Sequence, residues 1–168
     1  LADALVAWVE RGTLPPASGH PTRASGTLWP LDALQRRFPR IPGAAAPAQV
    51  NELQVADPAV VPPVQGPHYP VFVPAVDADG NGIVGVPHPW TLAPIGTHTG
   101  WQLRRAGYAG GELFSVFGSF WPFPATDAQA REAGDARPSM QARYGAPRHW
   151  CEQLAAAMRP MVDRRLLL

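Results

Sequence analysis

Proline placement constrains this chain more than any other feature. Of its 21 prolines, 16 fall between Pro15 and Pro94, and 16 glycines add further breaks across 168 residues. Proline lacks a backbone N–H and holds φ fixed, so it suits helix starts, turns and strand edges. From Thr13 to His68 the chain therefore reads as a proline-rich wrap, a stiff extended path more than a flexible tether. Gly43-Ala-Ala-Ala-Pro-Ala48 has linker composition within that path. Hydrophobic residues make up 46% and charged residues 16%, which is not a disordered composition. The expectation is ordered, irregular backbone packed against something, part of which lies outside this chain.

Regular elements show between the prolines. Ala2 to Arg11 carries Leu5, Val6, Trp8 and Val9 on a helical stripe, with Gly12 placed to end it. The chain opens at Leu1 already inside this pattern, without a cap, an initiator Met or a signal peptide. It reads as a truncated, processed or incompletely represented polypeptide. Leu31 to Phe38 predicts two turns of helix closed by Pro39, and Asn51 to Val55 predicts a strand. In Tyr69 to Pro74 the alternation of Tyr69, Val71 and Val73 with Pro70, Phe72 and Pro74 predicts a half-buried strand. Asp77-Ala-Asp-Gly-Asn-Gly82 is a dense turn signal, and Ile83 to Val86 is a second β-prone run, so a hairpin is expected.

Beyond the hairpin lies a loop from Trp90 to Trp101. Gly110 to Pro124 then gathers Phe114, Phe117, Phe120, Trp121 and Phe123. A buried aromatic plug is the plain reading of that cluster, and an aromatic substrate pocket the sharper one. Thr126 and Gln129 fit a capping box, Gly134 can stop the short helix they start, and Pro147 suits the first position of another. The stripe Trp150, Leu154, Met158, Met161 and Val162 keeps helical spacing, and Pro160 is expected to kink or split it.

Charge and cysteine exclude more than they assign. A net charge of +1 makes no electrostatic case for nucleic acid. All 14 basic residues are Arg, a sign of coding bias more than of function. A lone Cys151 rules out an intramolecular disulfide, leaves the compartment undecided, and suggests a small buried hydrophobe beside Trp150. No stretch approaches the roughly 18 apolar residues of a membrane span.

No complete catalytic set stands in the sequence. Asp77, Asp79 and Asn81 copy the first half of a calcium loop, but His88 stands where the bidentate Glu belongs, so a plain turn is expected. His68, His88 and His98 lack the spacing that argues for zinc, and His20 and His149 are isolated, so no metal site is expected. Ser115, Ser119 and Ser139 are outside any G-x-S-x-G elbow. Gly80 and Gly82 belong to a turn with no helix after it, which excludes a phosphate loop. Glu112, Asp127 and Glu132 make no case for a carboxylate pair.

Several motifs, in order, carry a resemblance. The helix ending ALVAWVERGTLPPAS resembles the last core helix of an α/β-hydrolase. YPVFVPAVDADGNGIVGV, PIGTHTGWQLR, GSFWPFP, ARPSMQARYG and the closing Arg-rich helix resemble the C-terminal part of large bacterial α/β-hydrolase domain-containing proteins with a Ser nucleophile. The likeness runs over essentially the whole chain and is densest from Tyr69 to Tyr144. It implies an α/β fold class, with this chain as the C-terminal segment. The last core helix would span 1–12, the wrapping segment 13–68, hairpin and aromatic loop 69–124, and C-terminal helices 125–168. Alone, such a segment reads as α+β with much irregular structure.

The resemblance also implies where the chemistry lies. The Ser nucleophile and catalytic His are expected upstream of Leu1, so no triad residue falls on this chain. The implied function is a serine-dependent acyl or ester hydrolase, without cofactor, metal, nucleic acid or membrane. Its partners would be the upstream hydrolase segment, in the same gene product or a companion chain, and a small ester-like substrate. Within this segment Trp90, His98 and Trp101 are the candidates for substrate contact, since a polar group sits there among rings. The plainer reading has the two Trp anchor the loop and His98 cap a carbonyl. A non-catalytic binding or structural module that pairs with another chain is the alternative, with the proline-rich and aromatic surface as its interaction face.

Overall fold

The computed structural model describes residues 2–50, 53–114 and 117–167. Helix α1 (Ala2–Arg11) ends where Gly12 takes φ 67°, so that the Gly12 N–H reaches the Trp8 carbonyl and Thr13 N–H the Ala7 carbonyl. Strand β1 (Leu28–Pro30) leads directly into α2 (Leu31–Arg37), and Phe38, extended before Pro39, closes that helix. Strands β2 (Gln54–Asp57) and β3 (Val64–His68) pair with each other through an irregular register. The predicted strand at Asn51 to Val55 is present from Gln54 on; Asn51 and Glu52 lie outside the described residues.

The hairpin differs from expectation in its pairing. Strand β4 (Phe72–Pro74) pairs antiparallel with β1, Trp29 opposite Val73, and not with Ile83 to Val86. The Asp77–Gly82 reversal is closed by the single bridge Val76 to Gly82, with Asp77 N–H on the Asn81 carbonyl and Ile83 N–H on the Ala75 carbonyl. Ile83 to Val86 forms no strand, because Gly85 turns out at φ 84° and gives its N–H to Gly19. A partner about forty residues upstream thus displaces the local one.

Helix α3 (Pro89–Leu92) follows, capped by the His88 ring, and then β5 (Gly96–Thr99), which pairs antiparallel with β6 (Ser119–Pro122). The two strands approach so closely at Gly96 that a β-carbon there would lie 2.5 Å from the Trp121 carbonyl oxygen. Helix α4 (Asp127–Ala133) carries the full Thr126–Gln129 capping box and ends on Gly134 at φ 68°. Helices α5 (Met140–Tyr144) and α6 (Pro147–Asp163) finish the chain. Among the described residues, six helices and three two-stranded antiparallel sheets make an α+β arrangement with much irregular backbone, as an α/β-hydrolase segment is expected to have.

Three other expectations are corrected. Helix α6 runs through Pro160 unsplit: the proline falls in the last turn, where the one carbonyl it strands belongs to exposed Ala156. Cys151 is exposed, on the outer side of α6. The aromatic cluster is no buried plug, since Phe123 enters the core while Phe114, Phe117 and Phe120 remain exposed. Alternation along β6 sends consecutive rings to opposite faces, which no crowding in sequence can prevent.

The core is small and split. Leu34 and Ile41 from the wrap, Ala75 and Val76 before the reversal, and Phe123, Tyr144 and Met161 from the C-terminal half are buried. Polar ties join these parts: the Tyr144 hydroxyl donates to the Pro94 carbonyl at 2.8 Å and the Trp150 indole to Ala93 at 2.9 Å.

Candidate functional site

The predicted site residues lie around β5. Its alternation puts His98 opposite Phe120, ring centroids 4.6 Å apart, on one face, and buried Thr97 and Thr99 on the other. Trp90, at the start of α3, stacks on the outer face of His98 at 5.8 Å with an interplanar angle of 19°. The start of α3 is held because the Trp90 N–H donates to His88 Nδ1. Trp101 lies past the end of β5, tilted against Phe38 at 5.6 Å, its indole N–H given to the Ala45 carbonyl at 3.1 Å.

A cleft of 480 Å³ opens between the wrap and β5, and both His98 and Trp101 line it. Leu34, Val50, Val73 and Val76 supply its apolar wall, with Gly80, Gly82 and Gly100 among the remainder. Trp90 is not on that wall; it backs His98. So the structure brings two of the three residues to one cavity and gives the third a supporting place. The His98 ring caps no carbonyl. Its Nε2 is buried with no hydrogen-bond partner among the described residues, while its backbone N–H donates to Asn81 Oδ1 at 2.8 Å.

Burial, and after it the neighbouring His88, hold the His98 pKa below its ordinary 6.5. The imidazole is therefore neutral at pH 7. Because the folded value is the lower one, the unfolded chain takes up the proton first on acidification. This contribution to stability is complete above 6.5 and is lost as pH falls from 6.5 toward the folded value. Thermal melts between about pH 5 and 8 check this. His98→Phe, which keeps a ring in the stack, is expected to flatten that limb, and an unchanged slope would exclude His98 as its source.

Sequence reasoning missed the frame beneath the site. The Asp77–Gly82 reversal is a polar knot whose oxygens are already in use. Asp77 Oδ1 accepts the N–H groups of Asp79 and Asn81, both at 2.9 Å, the Asp79 carboxylate pairs with Arg143, and Asn81 clasps β5. Burial, partly offset by those two N–H groups, raises the Asp77 pKa above its ordinary 3.8. A calcium ion would find this donor set occupied by the protein itself. Among the described residues no group of three His, Cys, Asp or Glu could hold a metal ion. Arg137 is the other missed residue. It is 3% exposed, grips Asp135 through two nitrogens, and donates to Thr97 Oγ1 and to the Trp121 and Pro122 carbonyls. The two-residue Asp135–Arg137 spacing was its only sequence signal.

Two of the three serines singled out in the sequence fall among the described residues. Ser139 is fully buried, donates to Asp127 Oδ1 at 2.6 Å, and caps α5 by accepting the Ala142 N–H. Ser119 sits in the β6 ladder, and Ser115 lies outside the described residues. No helix among the described residues is long and apolar enough to cross a membrane. Neither a curated protein nor a solved structure matches the chain. For this apolar cleft on an α+β frame, one comparison speaks to function: the family model of the alpha/beta hydrolase domain matches residues 1–168, so the chain belongs to that hydrolase family.

Proposed function

We propose that this chain is the C-terminal segment of a serine-dependent acyl or ester hydrolase. In this reading the nucleophile, base and oxyanion hole come from residues upstream of Leu1. The segment covers the core, and His98 and Trp101 wall the substrate pocket with Trp90 holding the imidazole in place. Helix α1 is the observation that carries the reading. It turns Ala4 and Ala7 to the rest of the chain and leaves Leu5, Val6, Trp8 and Val9 exposed, Val9 by 76%. An apolar helical face of that width is built to be covered.

The total surface supports the same reading. The chain has 11393 Å² of accessible surface, whereas a compact monomer of 18.0 kDa has about 8,000 Å². Family membership makes a hydrolase domain the natural cover for α1, as the last core helix packed on its sheet.

Val9→Glu in the full-length gene product tests the packing. A covered face predicts a loss of about 2–4 kcal/mol in urea unfolding, because a carboxylate would be buried without a partner. A change within about 0.5 kcal/mol would mean a solvated face and end the segment reading. Covalent labelling of the same protein by a fluorophosphonate tests the chemistry. Labelling is expected, and its absence would favour a non-catalytic module that pairs with another chain.

A further inference from the structure

A second cavity, of 340 Å³, lies between the proline-rich wrap and the ends of β5 and β6. That volume falls within the roughly 300–1,000 Å³ of small-molecule sites. Two indoles, Trp101 and Trp121, and two consecutive arginines, Arg104 and Arg105, stand on its wall. Gln102 and Ser119 add an amide and a hydroxyl. The cavity adjoins the face of β5 that carries Thr99, whereas the cleft already described adjoins the face that carries His98. Trp101 lines both.

Both arginines ride on a hydrogen-bonded arm that doubles back between Gln102 and Phe114. The Arg104 N–H donates to the Glu112 carbonyl at 2.8 Å, the Gly111 N–H to the Arg104 carbonyl at 2.9 Å, and the Phe114 N–H to the Gln102 carbonyl at 2.7 Å. Gly107 at φ 86° and Gly111 at φ 87° supply the left-handed steps of the reversal. The Arg104 guanidinium is held over the Phe114 ring at 5.0 Å, and the Glu112 carboxylate takes the Gln49 amide at 3.2 Å. The indoles are held too. Trp101 gives its N–H to the Ala45 carbonyl, and the Trp121 ring lies so near the wrap that a β-carbon on Gly43 would sit 3.2 Å from it. Both rings are half-buried, so each keeps surface open to a ligand.

A guanidinium stays charged at any physiological pH and meets a carboxylate through paired N–H donors. An indole rewards flat, unsaturated carbon. A ligand that offers both chemistries uses this wall fully. We propose that the cavity is a second ligand site, which takes a small aromatic carboxylate with its ring against Trp101 and Trp121 and its carboxylate on Arg104 and Arg105. The inference stands on this cavity and does not need the hydrolase reading. Because Trp101 belongs to both walls, a ligand bound here touches one side of the cleft beside His98. Its arrival is therefore expected to alter tryptophan emission.

The test titrates the full-length gene product by calorimetry with 2-naphthoate, with its uncharged isostere 2-naphthamide, and with acetate. The protein is first incubated with a fluorophosphonate, so that a serine centre is blocked and cannot supply the binding. Naphthoate is expected to bind about tenfold more tightly than either of the others, and to change the tryptophan emission. Arg104→Gln and Arg105→Gln are each expected to weaken naphthoate by about tenfold and to leave naphthamide unchanged. Trp121→Leu is expected to weaken both. Equal affinity for acid and amide, equal affinity for naphthoate and acetate, or wild-type naphthoate binding by both arginine variants would overturn the proposal. Should the variants not fold, salt decides on the wild type. Naphthoate binding is expected to weaken several-fold from roughly 0.05 to 0.5 M NaCl while naphthamide binding holds steady, and a flat naphthoate series would overturn the site. The label on the same sample separates the two readings. A labelled protein that binds no naphthoate removes the site and keeps the hydrolase; an unlabelled one whose naphthoate binding depends on Arg105 keeps the site and removes the hydrolase.

Discussion

Replacing Arg137 by Met is expected to cost about 3–5 kcal/mol, the largest single-residue loss predicted for this chain. Arg137 and Asp135 are paired at 2.6 Å with side chains only 2% and 4% exposed, so almost no solvent screens them. Truncating the guanidinium strands the Asp135 carboxylate and also frees three acceptors, Thr97 Oγ1 and the carbonyls of Trp121 and Pro122. Phe123 would lose one of its two cation–π neighbours, 5.1 Å from the ring centre, and keep Arg143 at 4.3 Å. Urea unfolding of single and double variants checks this. Adding Asp135→Asn to Arg137→Met is expected to recover part of the loss, since it removes the uncompensated charge. A loss under about 1 kcal/mol would show that water replaces Arg137 without difficulty.

The same pair shapes the acid limb. Burial raises the Asp135 pKa, but the bonds and charge of Arg137 outweigh it and hold the carboxyl below its ordinary 3.8. Stability from this group is therefore complete above 3.8 and lost as pH falls through the lower folded value. Arg137→Met should remove that dependence.

Asn81→Ala is expected to cost about 2–4 kcal/mol, and to disturb the candidate site more than any substitution within it. Asn81 is 1% exposed; its amide donates to the Gly96 carbonyl at 3.2 Å and accepts the His98 N–H at 2.8 Å. Alanine leaves a buried acceptor and a partly buried donor unpaired on β5, next to His98. Asn81→Asp keeps the acceptor for the His98 N–H but sets a buried carboxylate against the Gly96 carbonyl, so a loss at least as large is expected. Thermal melts rank the three proteins, and tryptophan fluorescence reports whether Trp90 still stacks on the imidazole. Equal stability of Asn81→Ala and wild type would show that the clasp does not hold β5.

How much of this was legible depends on the range of the forces. The α4 capping box, the Gly12 and Gly134 stops, the end of α2 at Phe38 and the Pro147 start of α6 rest on bonds within one helical turn, and the sequence showed them directly. The reversal at Asp77–Gly82 was equally visible, since its Asx bonds span two to four residues. Strand partners were not. Phe72 to Pro74 reads as the first half of a hairpin, yet β1, from the middle of the proline-rich wrap, takes its ladder. The aromatic run and Cys151 misled for a related reason: hydrophobicity says that a side chain prefers burial, not that a wall exists to bury it.

By itself the sequence determined where the chain turns, which short helices form, and that its prolines forbid a long regular framework. The α/β-hydrolase likeness was legible too, because ordered motifs survive without knowledge of their contacts. Only the tertiary structure decided that His98 and Trp101 share a cleft with Trp90 behind, and that Arg137 and Asn81 both hold β5. Those outcomes depend on residues tens of positions apart meeting in space, and such a contact becomes favourable only once the intervening chain is ordered.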